Sequence, residues 1–427
     1  MSIQFNRRLF VTAGIGVAGS IVGLKAGQSQ SFRTGLPRTR IQSVARVPLS
    51  IAMLDRHAVK MAPLLPEIES ALNRRLTIEA LAAEDLYANF TIDLLQQTGR
   101  YDVVSLNDAW IPYFGRRGYL TAVPDLEEAA IPGFPVRIQQ SARGVDGTEL
   151  VAYPWTFDFT CAAVNRKLGW ENWSRDWGAC FRAIQSDPDV RLAVALQPSA
   201  SAAETYRAVL LTFGEDLIAD DTNLPTLGTY AARRALETTV RLARIGNAAE
   251  SLTRSLTMLP GLAASDVIDI VPALWASDSA SLWLAQDWDI DLLPTGRPGR
   301  GATSATFWMW GIPAGAPNVD AARMFVQWVL GQDIQSRLWQ TAGLLPATRP
   351  AINTPLQPGG DALKRLTLRA LDRSRFRPQL RSFRSLMGIA GQLVADSVTN
   401  SDEGDRLRIA ANEAMRTVLI QEGELEV

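Results

Sequence analysis

The chain has 427 residues, 47% hydrophobic and 20% charged, a soluble globular composition with enough length for two lobes of ordinary domain size. Its formal net charge of −1 gives no electrostatic reason to expect nucleic acid, and its single histidine, His57, excludes HExxH zinc sites and multi-histidine metal centres. Cys161 and Cys180 are too few for a disulfide scaffold and fit no metal-ligand spacing, so neither metal nor cofactor is expected, and the sequence leaves open whether the two are bridged.

Everything before Asp55, the first acidic residue, carries only positive charge, as targeting segments do. Arg7 and Arg8 precede the apolar run 9–24, which suits a signal h-region and is short and glycine-rich for a spanning helix. The string Asn6-Arg7-Arg8-Leu9-Phe10-Val11 resembles the twin-arginine export consensus. Residues 1–30 therefore read as a twin-arginine-type signal peptide and 31–45 as a flexible linker. That implies a periplasmic location, or a membrane-anchored one if the signal stays attached. Residues 14–19 spell GxGxxG, but no buried strand precedes them and 34–40 hold no acid for a ribose, so a nucleotide site is rejected.

Leu49, Ile51 and Met53 alternate with small residues and predict a first strand, ending in a turn at 55–57. Met61, Leu64, Leu65, Ile68 and Leu72 recur at helical spacing through 59–75. A strand at 76–81, a helix at 86–97 and a strand at 101–106 follow. Such alternation predicts a mostly parallel sheet flanked by helices, with ligands gathering at the carboxyl ends of strands, where Asn107 and Asp108 stand. A second segment follows Tyr153-Pro154-Trp155, with strands at 160–164 and 192–196 and a helix-rich stretch at 203–245. Strands at 267–274 and 289–294 precede the turn-rich 296–301, which reads as a hinge or loop in preference to a phosphate cradle. After a strand at 307–312, Asn318 is placed to cap a helix to Leu330, Gly343 ends a shorter one, and 355–360 reads as a connection. The twelve tryptophans are divided between core packing and stacking on sugar rings, with Trp283, Trp288 and Trp310 assigned to packing.

Several of these segments fall in a familiar order. Tyr101-Asp102-Val103-Val104 with Asn107-Asp108-Ala109-Trp110, then Gly118-Tyr119-Leu120, is one; Tyr153-Pro154-Trp155-Thr156-Phe157-Asp158 with Asn165-Arg166-Lys167-Leu168 is another. Ile312-Pro313-Ala314-Gly315 with Asn318, Phe325, Trp328 and Gly343-Leu344-Leu345-Pro346 completes the set. From Arg46 to Leu419 the chain resembles family 1 extracellular solute-binding proteins of the maltose and trehalose type. The resemblance implies a two-lobed α/β periplasmic binding protein-like fold of type II, each lobe a mostly parallel sheet flanked by helices, the lobes joined by crossing hinge strands. The lobes would comprise 46–153 with 295–347 and 154–294 with 348–427. It also implies a monomer that clamps a sugar in its cleft and hands it to the membrane subunits of an ABC permease.

Position by position, the resemblance carries a ligand-binding role onto Asn107, Asp108, Trp155, Asp158, Trp275, Trp308 and Arg377. His57, after the first strand, joins them as a candidate for ligand contact, with a turn or surface role as its alternative. A polyamine or another small polar solute is the alternative ligand, since Asp108, Asp158, Trp155 and Trp308 also suit a cation. A carbohydrate hydrolase or lyase using Asp108 with Asp158 is the rival class. No GxSxG nucleophile elbow is present, so the chain is read as not an enzyme.

Overall fold

The computed structural model describes residues 47–122, 139–140, 142–143, 149–198, 200–278, 287–299, 301–354 and 360–426. The expected signal peptide and linker, Trp283, Arg300 and the core of the 355–360 connection lie outside the described residues.

The first elements follow the expected alternation: β1 (Leu49–Leu54), α1 (Asp55–Met61), α2 (Leu65–Leu72), β2 (Leu76–Leu81), α3 (Ala83–Gln96) and β3 (Val103–Asn107). β1 lies between β2 and β3 and pairs parallel with both. Helix begins directly at Asp55, without the expected turn, and the single helix predicted for 59–75 is broken by a 3₁₀ turn at Ala62–Leu64. Pro63 and Pro66 explain the break, because each lacks the N–H that would continue the ladder and each sits at the start of its own short helix.

The second half is organised by two long strands. β4 (Ala152–Asn165) is buried along its whole length. Residues 152–159 pair antiparallel with β7 (Thr303–Gly311), and residues 160–165 pair antiparallel with β5 (Ile270–Trp275) and β6 (Trp288–Asp291). β7 also pairs antiparallel with β3 and, at its start, parallel with the two-residue β8 (Ser374–Arg375). The order is β2-β1-β3-β7-β4-β5. Among the named strands of the described residues, parallel pairing is found in β2-β1-β3 and β7-β8, and the sheet is mixed where a mostly parallel one was expected. The strand expected at 192–196 is reduced to a single bridge, Leu192 to Ile270, supported by the Ala193 N–H on the Ile270 carbonyl at 3.0 Å.

The helices of ten residues or more in the described second half are α4 (Trp177–Ser186), α5 (Ala200–Thr212), α6 (Tyr230–Ile245), α7 (Val319–Leu330), α8 (Gln332–Ala342), α9 (Gly360–Arg373), α10 (Phe383–Thr399) and α11 (Gly404–Gln421). Buried apolar side chains form two clusters. One surrounds β1–β3, β7 and the first half of β4; the other holds the apolar faces of α4, α5, α6, α10 and α11. The second half of β4 divides them by strand periodicity, Cys161 and Ala163 facing the first cluster, Ala162 and Val164 the second. Cys180 belongs to the second cluster, so the two thiols stand on opposite sides of a strand and are not bridged. Burial pushes the Cys180 thiol up to about 12. Asn318 does stand at the start of α7, but its side chain does not cap it; its amide and backbone N–H donate to Asp102 Oδ1 at 3.1 and 2.8 Å. In the glycine-rich segment the described residues 296–299 form a loop held by the Gly296 and Arg297 N–H groups on the Thr212 carbonyl.

Candidate functional site

A cavity of about 660 Å³ lies between the two clusters. Arg56, Val59 and Lys60 of α1, Ala82 with the start of α3, Asn107 at the end of β3, and Ala109 and Trp110 after it form one wall. Ser201 and Glu204 of α5 with Phe383, Arg384 and Met387 of α10 form the other. Thr306 and Trp308 of β7, Trp275, Asp278 and Arg377 lie between them. Four of the eight predicted residues, Asn107, Trp275, Trp308 and Arg377, therefore line one opening.

Asn107 ends β3 and caps the following 3₁₀ turn, its Oδ1 accepting from the Ala109 N–H at 3.2 Å. That fixes its amide toward Thr306, whose Oγ1 accepts from Nδ2 at 3.0 Å and donates to Asp108 Oδ1 at 2.6 Å. Arg377 reaches into the same group. Its Nη1 donates to Asn107 Oδ1 and, at 3.1 Å, to Thr306 Oγ1, while its Nη2 donates to Glu204 Oε1 on the opposite wall. Asp108 is fully buried beneath this network, off the cavity wall, and burial pushes its carboxyl above the ordinary range, with Arg377 and Thr306 partly offsetting the rise.

The other end is held by α1. Arg56 pairs with Asp278 at 2.8 Å, and Lys60 Nζ donates to the Ser277 carbonyl at 2.6 Å. Burial lowers the Lys60 ammonium, with Asp278 and Asp158 opposing the shift. Asp158, expected to touch ligand, is 1% exposed and off the wall. It accepts from the Phe159 N–H at 2.9 Å, the Ser277 N–H at 3.0 Å and the Ser277 hydroxyl at 2.5 Å, so it fixes the turn that carries Asp278. Burial raises its carboxyl as well, against the pull of Arg56.

Trp155 and His57 are likewise behind the surface. Trp155 stacks on Trp310 at 4.8 Å and donates its Nε1 to Ser105 Oγ at 3.4 Å. His57 is neither a turn nor a surface residue; it is 1% exposed in α1, with its ring edge-on to both Trp155 and Trp308 at 5.3 Å. Burial, then Arg56 and Lys60, hold its imidazole well below the usual histidine range. These four residues lie behind the wall, where β3 and β4 flank β7 in one sheet.

Sequence reasoning missed Arg56, Lys60, Glu204, Asp278, Thr306 and the wall position of Trp110, whose half-buried ring meets Trp308 edge-on at 5.5 Å. Only Glu204 had a signal, a charge in an apolar helical run. The cavity's charges balance, with Asp55, Glu84, Glu204 and Asp278 set against Arg56, Lys60, Arg377 and Arg384. Glu84 and Arg384 pair across its mouth. Among the described residues no group of three or more His, Cys, Asp or Glu is placed to hold a metal. A second cavity of about 540 Å³ shares Arg377 but has no indole in its lining.

Residues 69–336 match the family model described as bacterial extracellular solute-binding protein. A search of curated proteins gives no match. Among solved structures the fold is similar to an ABC transporter solute-binding protein of Thermotoga lettingae bound with α-D-tagatose, with 14% identity, a TM-score of 0.77, and 87% of this chain and 99% of that one covered. A counterpart from Agrobacterium radiobacter in complex with ribitol has 16% identity and a TM-score of 0.76, covering 87% of this chain and 98% of its own. Maltose-bound MalE3 of T. maritima has 15% identity and a TM-score of 0.76, covering 87% and 100%. The fold is thus that of the two-lobed solute-binding proteins. No helix among the described residues is long and apolar enough to cross a membrane.

Proposed function

The chain belongs to the bacterial extracellular solute-binding protein family, and from that membership we propose that it captures a neutral sugar or polyol in the interlobe cleft and delivers it to an ABC permease. The observation that carries this reading is the composition of the cavity, three indoles beside charged groups that compensate one another. Indole faces suit the C–H planes of a sugar, and paired acids and bases leave hydrogen-bonding capacity for hydroxyls without a net field. A polyamine would need surplus acid on the wall, and Asp108 and Asp158, the two carboxylates expected to supply it, are buried and pushed toward the neutral form. The tagatose, ribitol and maltose held by the similar structures support the same class. Burial of Asp108 and Asp158 also keeps both from a scissile bond, so the solute is bound without being altered.

The lobes, 46–153 with 295–347 and 154–294 with 348–427, close around the solute because only the closed form lets both walls contact it. The protein acts in the periplasm, reached through the twin-arginine signal at Arg7 and Arg8. A thermal-shift panel tests the solute class: a sugar or alditol at about 100 times its Kd adds about 2.7 kcal/mol to folded-state stability and raises the melting temperature. Putrescine or spermidine raising it while saccharides and alditols leave it unmoved would overturn the reading.

A further inference from the structure

Resting on the cleft as a polyhydroxy-solute site, we infer that Glu204 is a ligand-binding residue which, with Arg377, selects solutes carrying two adjacent hydroxyls. Glu204 lies in the second turn of α5, is 5% exposed and lines the cavity. Its Oε1 takes the Arg377 Nη2 donor, while its Oε2 has no hydrogen-bond partner among the described residues. A buried carboxylate oxygen without a donor is costly, and the cavity it borders is where a donor can arrive.

The same end of the cavity carries the complementary deficit. Trp308 Nε1 and Arg377 Nε are buried donors without acceptors. Arg377 pairs with Glu204 through Nη2 and with Thr306 through Nη1, so the unpaired acceptor and the unpaired guanidinium donor lie together, and Trp308 is the next residue on the same face of β7 as Thr306. A hydroxyl fits both deficits, donating its proton to Glu204 while its oxygen accepts from guanidinium or indole. Two neighbouring hydroxyls match a carboxylate and a guanidinium held side by side. Because Arg377 already neutralises Glu204, the carboxylate serves as an acceptor for a neutral O–H and not as counter-ion to an ammonium. Glu204 also stands on the wall opposite Asn107, so a solute that engages Glu204 and Asn107 together is held from both lobes.

The test is calorimetric titration of the wild type and Glu204→Gln with D-tagatose, ribitol, D-mannitol and maltose, and with mono-deoxy analogues of whichever binds. The amide keeps the shape and an oxygen for Arg377 but presents a donor where the acceptor stood. The expected result is at least a tenfold rise in Kd at an unchanged melting temperature, with the penalty shrinking for the one deoxy analogue that lacks the hydroxyl Glu204 reads. Wild-type affinity in the variant, or an equal penalty for every analogue, overturns the inference and leaves the solute class standing. A wild type that binds none of the panel sinks the solute class and this inference with it. Should Glu204→Gln fold poorly, Glu204→Asp, which keeps the charge but withdraws the oxygen by one methylene, carries the same expectation.

Discussion

At the residue scale, side chains that meet solute separate from those that brace them. Trp110 is half-buried and lines the cleft, whereas Trp308 is 3% exposed and wedged between His57 and Trp110. Trp110→Ala is therefore expected to raise the Kd for a bound sugar about tenfold, about 1.4 kcal/mol, with little loss of stability, as titration and thermal melting will read. Asp158→Asn behaves in the opposite way, because its amide sets an N–H against donors from Phe159 and Ser277; unfolding in denaturant should show a loss of about 1–3 kcal/mol. His57 gives a pH signature. Its folded imidazole resists protonation that the unfolded chain accepts below pH 6.5, so stability falls as pH drops through that value toward the lowered folded one, with a limiting slope of about 1.4 kcal/mol per pH unit. Asp108 and Asp158, both raised, act in the reverse sense, contributing stability at low pH that is lost as pH rises, and they cancel between wild type and His57→Gln. The stability difference between those two proteins should shift against the wild type from pH 7.5 to pH 5; parallel profiles would place a charged imidazole in the folded state. Asn107, Trp275, Trp308 and Arg377 were legible as cavity-lining residues because a strand end, two aromatics and a cation stood in a familiar order. Glu204 was not, since its role depends on Arg377, 173 positions away, a relation that local sequence does not record.

At the scale of elements, β1, β2, α3 and β3 were revealed by short alternating or helical patterns set between turn residues, although β3 is buried throughout and β1 nearly so. β4 escaped as a single unit: buried along its whole length, it lacks the polar alternation that marks a strand, and only its second half was read as one. The 192–196 segment misled for the converse reason, an apolar run with a single bridge in place of a ladder. Turns and caps are the weak points where single substitutions act on whole elements. Gly99 has φ +61°, and an added Cβ would stand 2.9 Å from the Gly315 carbonyl oxygen, so Gly99→Ala should cost about 2 kcal/mol through backbone strain and crowding together. Thr229 caps α6 by accepting the Ala232 N–H at 3.2 Å, and Thr229→Ala should cost about 1 kcal/mol. Denaturant midpoints check both.

For the whole molecule, a two-lobed body was foreseeable from length and motif order, but the mixed pairing of its sheet was not, because antiparallel entry of β7 follows from where the chain returns and not from any local pattern. The cleft lies between two separately packed cores, so a solute that contacts both walls should draw them together; small-angle scattering is expected to show a smaller radius of gyration at saturating sugar, and an unchanged value would mean entry into a rigid groove. The pairing of β3 and β4 with β7 has a further consequence for how the protein is made. Asn107 sits opposite Trp308, and β4 cannot complete its ladder before Thr303–Gly311 exists. A nascent chain that has emerged only as far as residue 302 holds β3 with a bare edge and β4 without its principal neighbour, both lined with apolar side chains. Neither body can mature ahead of the other during synthesis, so a ribosome stall or a premature stop upstream of β7 yields a sticky intermediate for chaperones and proteases, not a half-sized working lobe.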